Sequence, residues 1–226
     1  MAGIAVLSEA ERTLVGMAVA DAEQGTDGEI VTIVSQRSDS YRDAALHYAV
    51  LVMLMVAGLC ALWPPLLEAI AYPGASGWGE INPARLLFTL TLLLAIAFLA
   101  VRYAMEWSPL RLALTPRATK ARRVRRRAIE YFKVGAERRT KARIGILLYL
   151  SLEERIAEIV ADEAIHSKVP PERWGEAMAA LIEQVRAGKS GEGMAAAVMA
   201  IGKIIGEHFP KTDDDENELP DRLIEL

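Results

Sequence analysis

Two apolar runs constrain this chain more than any other feature: ALHYAVLVMLMVAGLCALW (Ala45 to Trp63) and LLFTLTLLLAIAFLAV (Leu86 to Val101). A helix crosses a bilayer core about 30 Å thick with about 20 predominantly apolar residues. The first run supplies such a length, interrupted only by His47 near its start. The second reaches it by borrowing Ala84, Arg85 and Arg102 to Ala104 at its ends, where arginine snorkels to the headgroups. Between them, YPGASGWGEINP (Tyr72 to Pro83) is rich in the turn formers Gly and Pro. Trp63, Tyr72, Trp78, Tyr103 and Trp107 fall near the ends of the runs, where interfacial aromatic rings are favoured. This pattern predicts a two-span membrane hairpin over 44–107, with spans near 45–63 and 85–104. The alternative is a helical hairpin buried inside a soluble protein.

Cationic side chains resist translocation, so Lys and Arg mark the cytoplasmic side. Residues 1–43 carry Arg12, Arg37 and Arg42, and the intervening loop only Arg85 at the foot of the second run. A dense basic block follows from Arg102 to Arg143. Two spans return the chain to its starting side, so both termini are expected in the cytoplasm. The start MAGIAVLSEAERT has no basic stretch followed by an apolar one, and no cleavable signal peptide is expected. Cys60, the sole cysteine, lies in the first run, which excludes an intramolecular disulfide and a cysteine nucleophile outside the membrane.

The flanking segments read as one divided domain, 1–43 with 108–209, followed by an acidic tail, 210–226. The net charge of −4 averages a strongly basic 102–143 against this tail. Ser8 and Glu11 form a capping box that opens a helix running to Gly25. GEIVTIVSQ (Gly28 to Gln36) has the β-branched composition of a strand covered on both faces. Thr115-Pro116 opens a helix through about Phe132, with Ala121, Val124, Ala128, Ile129 and Phe132 on one face and arginines opposite. IGILLYLS (Ile144 to Ser151) predicts a central strand, and RIAEIVAD (Arg155 to Asp162) its hairpin partner across Leu152 to Arg155. Two further helices follow. Pro170-Pro171 opens the first, which Gly188 ends; the second carries Met194, Val198, Ile201 and Ile205, with Gly202 and Gly206 as a close-packing surface. The order predicts an α/β fold: an α/β/α sandwich around a small mixed sheet, interrupted by the hairpin.

TDGEIVTIVS (Thr26 to Ser35) and GILLYLSLEERIAEIVADEAIHSKV (Gly145 to Val169) resemble the first strand and the β-hairpin of the TPM domain. The likeness continues through Trp174 to His208-Phe209-Pro210 and to NELPD (Asn217 to Asp221). It resembles the membrane-bound bacterial members, which implies an inner-membrane location. It also implies an α/β/α sandwich whose relatives include a thylakoid protein credited with acid phosphatase activity and calcium binding, and an auxiliary protein of a neurotransmitter receptor. One fold thus serves catalytic and purely binding roles. Many members carry an Asp-Asn pair just before the second strand, near their calcium site. Here that position reads Thr140-Lys141-Ala142-Arg143, cations where a hard metal wants carboxylates.

Glu29, Asp162 and Glu163 stand at or near strand ends, where α/β sheets place their sites. They are the candidate metal ligands, for Ca2+ or Mg2+; the alternative for Asp162 is a carboxylate that caps the turn into Ala164. His166 could serve as a general acid, but it has no companion triad and reads rather as a structural or surface histidine. The tail run DDDENE (Asp213 to Glu218) lacks the glycine and terminal glutamate spacing of an EF-hand loop. Arg122, Arg123, Arg125, Arg126 and Arg127 form the basic face of the juxtamembrane helix, suited to anionic headgroups more than to nucleic acid. No P-loop, GxGxxG, HExxH, CxxC or GxSxG is present. The expectation is a membrane-anchored, non-catalytic module with a protein partner and lipid contact. The alternative is a weak divalent-cation-dependent acid phosphatase.

Overall fold

The computed structural model describes residues 7–74, 81–135, 144–212 and 222–226. The chain divides into two compact units, one built from 1–39 and 117–226 and the other from 40–116.

The first unit is a mixed α/β body around a small four-stranded sheet. Its elements are α1 (Glu9–Glu23), β1 (Glu29–Ser35), α6 (Arg117–Gly135), β2 (Gly145–Ser151), β3 (Ile156–Ala161), α7 (Glu163–His166), α8 (Arg173–Arg186), α9 (Ser190–Gly206) and β4 (Ile224–Glu225). The strand order is β3-β2-β1-β4. β1 and β2 run parallel, from Glu29 opposite Gly145 to Ser35 opposite Ser151. β3 returns antiparallel to β2, with Ser151 opposite Ile156, as the four-residue loop Leu152 to Arg155 demands. Parallel neighbours need a long crossover, and here that crossover contains the whole second unit together with α6.

All seven residues of β1 and all seven of β2 are buried, as expected for strands covered on both faces. Side chains alternate across the pleat, so each strand feeds two cores. Ile30, Val34, Ile146, Leu148 and Leu150 meet Val15 and Val19 of α1, Leu181 of α8 and Val198 and Ile201 of α9. Val31, Ile33, Leu147 and Tyr149 meet Val124, Ala128 and Phe132 of α6. The arginine-rich helix is therefore a structural wall of the sheet as well as a charged surface.

Ser8 caps α1 with a complete capping box, its hydroxyl accepting from Glu11 N–H while the Glu11 carboxylate accepts from Ser8 N–H at 2.9 Å. Gly202 explains how α9 lies so close to α1: a Cβ there would stand 2.5 Å from Ala22 Cβ. Gly188 ends α8 at φ 77°, a left-handed conformation that glycine adopts without Cβ strain.

One expectation changes in this unit. The segment after Pro210 is not wholly without regular structure, because Ile224 and Glu225 form β4 beside Ile33 and Val34. Two residues are too few for a periodicity to be read. Glu225 also reaches α1, accepting from Leu7 N–H at 3.0 Å and pairing with Arg12 at 3.1 Å. The acidic run 213–218 and the segment 140–143 lie outside the described residues.

The second unit contains α2 (Arg42–Leu62), α3 (Pro64–Ala71), α4 (Pro83–Ala104) and α5 (Ser108–Leu114). α3 and α5 are additions to the two expected helices; each opens with proline at its first turn, where proline is favoured. α2 and α4 pack side by side, and each is long and apolar enough to cross a membrane, with mean hydropathy 2.2 and 2.3. The turn between them is stiffened at its described ends. Asn82 caps α4 by accepting from Ala84 N–H at 2.9 Å, its own N–H donates to Tyr72 Oη, and the Arg85 guanidinium lies 4.4 Å from the Tyr72 ring centre. Within α4, the hydroxyls of Thr89 and Thr91 donate to the carbonyls of Arg85 and Leu87, so neither asks for water.

Candidate functional site

The candidate metal ligands gather at one end of the sheet, where β1 and β2 begin and β3 ends. Glu29 stands opposite Gly145 across the parallel ladder. Asp162 stands opposite Gly145 on the other side, its N–H donating to Gly145 O at 3.0 Å and its Oδ2 accepting from Gly145 N–H at 2.8 Å. One row of the sheet thus reads carboxylate, glycine, carboxylate, with the two acids about 10 Å apart at the backbone, two strand spacings. Alternation puts this row on the α6 face, in line with Val31 and Leu147.

Glu29 and Asp162 are both buried. The Asp162 carboxylate closes the ladder where β2 and β3 meet, and its carbonyl accepts from Ile165 and His166 N–H, each at 3.0 Å. It makes no side-chain cap to α7. Glu163 opens α7 and is exposed, apart from the other two. The structure places Glu29 and Asp162 in one row of the sheet on either side of Gly145 and leaves Glu163 exposed at the start of α7. Among the described residues, no three His, Cys, Asp or Glu side chains are grouped to hold a metal ion. His166 is exposed, as expected.

The opposite end of the sheet holds a polar cluster that sequence reading missed. Ser38 Oγ donates to Ser151 Oγ at 2.9 Å, which donates to Glu154 Oε2 at 2.6 Å. Because the Ser38 proton is used toward Ser151, the 2.9 Å contact between Ser38 Oγ and Tyr149 Oη makes the tyrosine the donor. Glu154 Oε1 accepts from Ser38 N–H at 2.9 Å. All four side chains are buried, and burial raises the Tyr149 phenol above its ordinary value, against the lowering effect of Ser38. The cluster lies at the carboxyl ends of β1 and β2, the usual position of α/β sites. Its hydroxyls are nevertheless spent on one another and closed to solvent. What it does is fasten the chain leaving β1 to the β2–β3 turn. The only hint in the sequence is Ser151, a serine that ends an otherwise apolar strand.

The arginines of α6 are divided between that anchor and solvent. Arg123 and Arg126 pair with Asp39 at 3.1 and 3.6 Å, and Arg127 Nε donates to Ser38 O at 3.4 Å. Arg127 and Arg126 also pair with Glu130 at 3.1 and 3.9 Å. Arg125 reaches Glu158 of β3 at 3.3 Å, yet burial outweighs that pair and raises the Glu158 carboxyl above its ordinary range. Arg122 is exposed, its Nη2 donating to Thr119 Oγ1 at 3.4 Å. Exposed pairs of this kind contribute about 0–1 kcal/mol each, so the helix keeps outward charge at little cost in stability.

The family model of the TPM domain matches residues 109–204. That stretch runs from α5 to α9 and omits β1, which the apolar hairpin separates from its partner strand. No curated protein matches the chain. The NMR structure of the BA42 protein from the psychrophilic bacterium Bizionia argentinensis is similar in fold, with TM-score 0.56 at 18% identity over 100% of both chains. Residues 109–204 are thus similar to the TPM domain, and the likeness to the solved structure is one of fold.

Proposed function

We propose that this chain is a membrane-anchored TPM-domain protein of a bacterial inner membrane, with α2 and α4 as its spans and its α/β domain and both termini in the cytoplasm. The observation that carries this reading is burial. Only 17% of the apolar window in α2 and none of that in α4 is covered by protein, although both are as hydrophobic as a core. Leu54, Met55, Leu87, Phe88, Leu92 and Ile96 are exposed along them, a surface that water does not tolerate. The excess of Lys and Arg after the second span supports the orientation.

In this reading the domain is a non-catalytic module that binds a protein partner and serves assembly or maintenance of a membrane complex. Support comes from the absence of catalytic signatures and from hydroxyls that bond one another instead of opening to a substrate. Arg122, Arg125 and Arg126 turn charge outward, suited to anionic lipid rather than nucleic acid. The test is alkaline extraction and thiol labelling of a Cys60→Ala background carrying Ile81→Cys or Leu226→Cys. Ile81→Cys is expected to react with an impermeant maleimide on spheroplasts, and Leu226→Cys only after lysis. Release by alkali, or the reverse labelling, overturns the reading.

A second reading, a divalent-cation-dependent acid phosphatase, is favoured by the row Glu29, Gly145, Asp162. Ca2+ or Mg2+ would be its cofactor. A cation that binds only the folded state adds about 2.7 kcal/mol at a hundredfold excess over Kd. A metal-dependent rise in Tm that Asp162→Asn abolishes supports this reading; a melt unchanged by millimolar metal removes it.

A further inference from the structure

At the end of the second unit where α2 begins and α4 stops, arginines outnumber acids. Arg42 is the first residue of α2, Arg102 lies in the last turn of α4, and Arg111 lies in α5. The nearby acids are Glu106, which pairs with Arg102, and Asp43 in the first turn of α2. Arg102, Arg111 and Arg42 all act on the Glu106 carboxyl and hold it below its ordinary range, with Arg102 the largest contributor. The packing of α2 against α4 brings the first residue of α2 and the last turn of α4 to the same end of the unit, beside α5.

Arg111 is the unusual member. It is only 6% exposed, and its Nη1 donates to the Met105 carbonyl at 3.0 Å. Its Nε is buried and has no hydrogen-bond partner among the described residues. Buried guanidiniums are normally paired with an anion and fully hydrogen-bonded, because an orphaned donor carries its whole desolvation penalty. Arg42 is exposed and makes no hydrogen bond or ion pair among the described residues. The start of α2 adds positive potential, since Tyr41 supplies no side-chain cap to the first N–H groups.

Tyr103 and Trp107 are exposed on the same segment, and such rings favour headgroup depth. On the reading that α2 and α4 span a bilayer, this puts the cluster level with lipid phosphates. We infer that Arg42, Arg102 and Arg111 form a binding site for the phosphate of an anionic phospholipid, with Arg111 as its fixed donor. The site is separate from the basic face of α6, which spends its arginines on Asp39, Glu130 and Glu158.

The test uses the full chain in uncharged detergent, with native mass spectrometry reading retained phosphatidylglycerol, phosphatidylcholine or inorganic phosphate. Phosphatidylglycerol is expected to be retained over phosphatidylcholine. Arg111→Gln should weaken it about fivefold, the value of about 1 kcal/mol per headgroup-facing cation. Arg42→Gln should weaken it less, and Arg186→Gln at the exposed end of α8 not at all. Arg42 is exposed, so its variant keeps the test decisive if Arg111→Gln does not fold. Equal retention of the two lipids, or undiminished binding by both Arg42→Gln and Arg111→Gln, overturns the site. So does competition by inorganic phosphate at the lipid's own concentration, which assigns a soluble ligand instead. Alkaline extraction of the same variants separates the two ideas. Chains that stay in the membrane without lipid preference sink the site alone, and chains that wash off sink the membrane reading too.

Discussion

β2 and α4 are both built almost wholly from apolar residues, and they meet opposite fates. All seven residues of β2 are buried, whereas none of the 22 residues of α4 is. β2 is covered on one face by α1, α8 and α9 and on the other by α6. α4 has a neighbour in α2 and otherwise presents leucine and phenylalanine outward. Hydrophobicity alone does not say which solvent a segment has. The burial of β2 is driven by water, while the exposure of α4 is the observation on which the proposed membrane anchor rests.

The largest effects test the two halves of that contrast directly. Leu148→Ala empties a fully buried position of the larger core, and urea unfolding of the detergent-solubilised chain should lose about 2–5 kcal/mol. A near-neutral result would mean β2 is not packed as described. Leu92→Arg changes a residue of α4 that is 50% exposed. Mid-membrane, it should cost about 2.5–3.5 kcal/mol of insertion, read as a lower membrane-integrated fraction. Facing water, the same change would stay within about 0.5 kcal/mol.

Gly202→Ala sharpens the packing side. Alanine ordinarily favours a helix over glycine by about 1 kcal/mol. Here the new methyl meets Ala22 Cβ at 2.5 Å and Ala22 Cα at 3.0 Å, and overpacking should destabilise by about 1–3 kcal/mol. A higher Tm for this variant would show α1 and α9 free to separate.

The smallest effect lies at the capping box of α1. Ser8→Ala should cost about 1 kcal/mol at neutral pH. The Ser8 hydrogen bonds hold the Glu11 carboxyl below its ordinary 4.5. A lowered carboxyl contributes stability that is fully present above its unfolded value and is lost as pH falls through the folded one. The difference between the parent and Ser8→Ala should therefore shrink as pH drops below about 4.5. A constant difference would mean that Glu11 is not part of the box.

Much of this architecture is legible in the sequence because it rests on local pattern. The capping box at Ser8, the apolar run of β2, the β2–β3 turn and the 3–4 spacing of Val124, Ala128 and Phe132 each declare themselves within a few residues. β4 did not, because a two-residue strand exists only through pairing with β1. α3 and α5 did not, because their prolines read equally as helix starts and as loop. Of the candidate site, the acids Glu29 and Asp162 were visible as strand-end residues, but their alignment about Gly145 is a matter of register. The cluster of Ser38, Tyr149, Ser151 and Glu154 was hidden for the same reason, since it joins residues far apart in the chain.

By itself, the sequence determined which segments are apolar and where most of the helices and strands begin. These follow from transfer free energies and backbone preferences that each residue carries with it. Only the tertiary structure decided that β1 pairs with β2 across the whole inserted hairpin, that α6 spends several arginines on Asp39, Glu130 and Glu158, and that Arg111 is buried. Those outcomes depend on contacts between residues distant in the chain, whose energies exist only once the fold has brought them together.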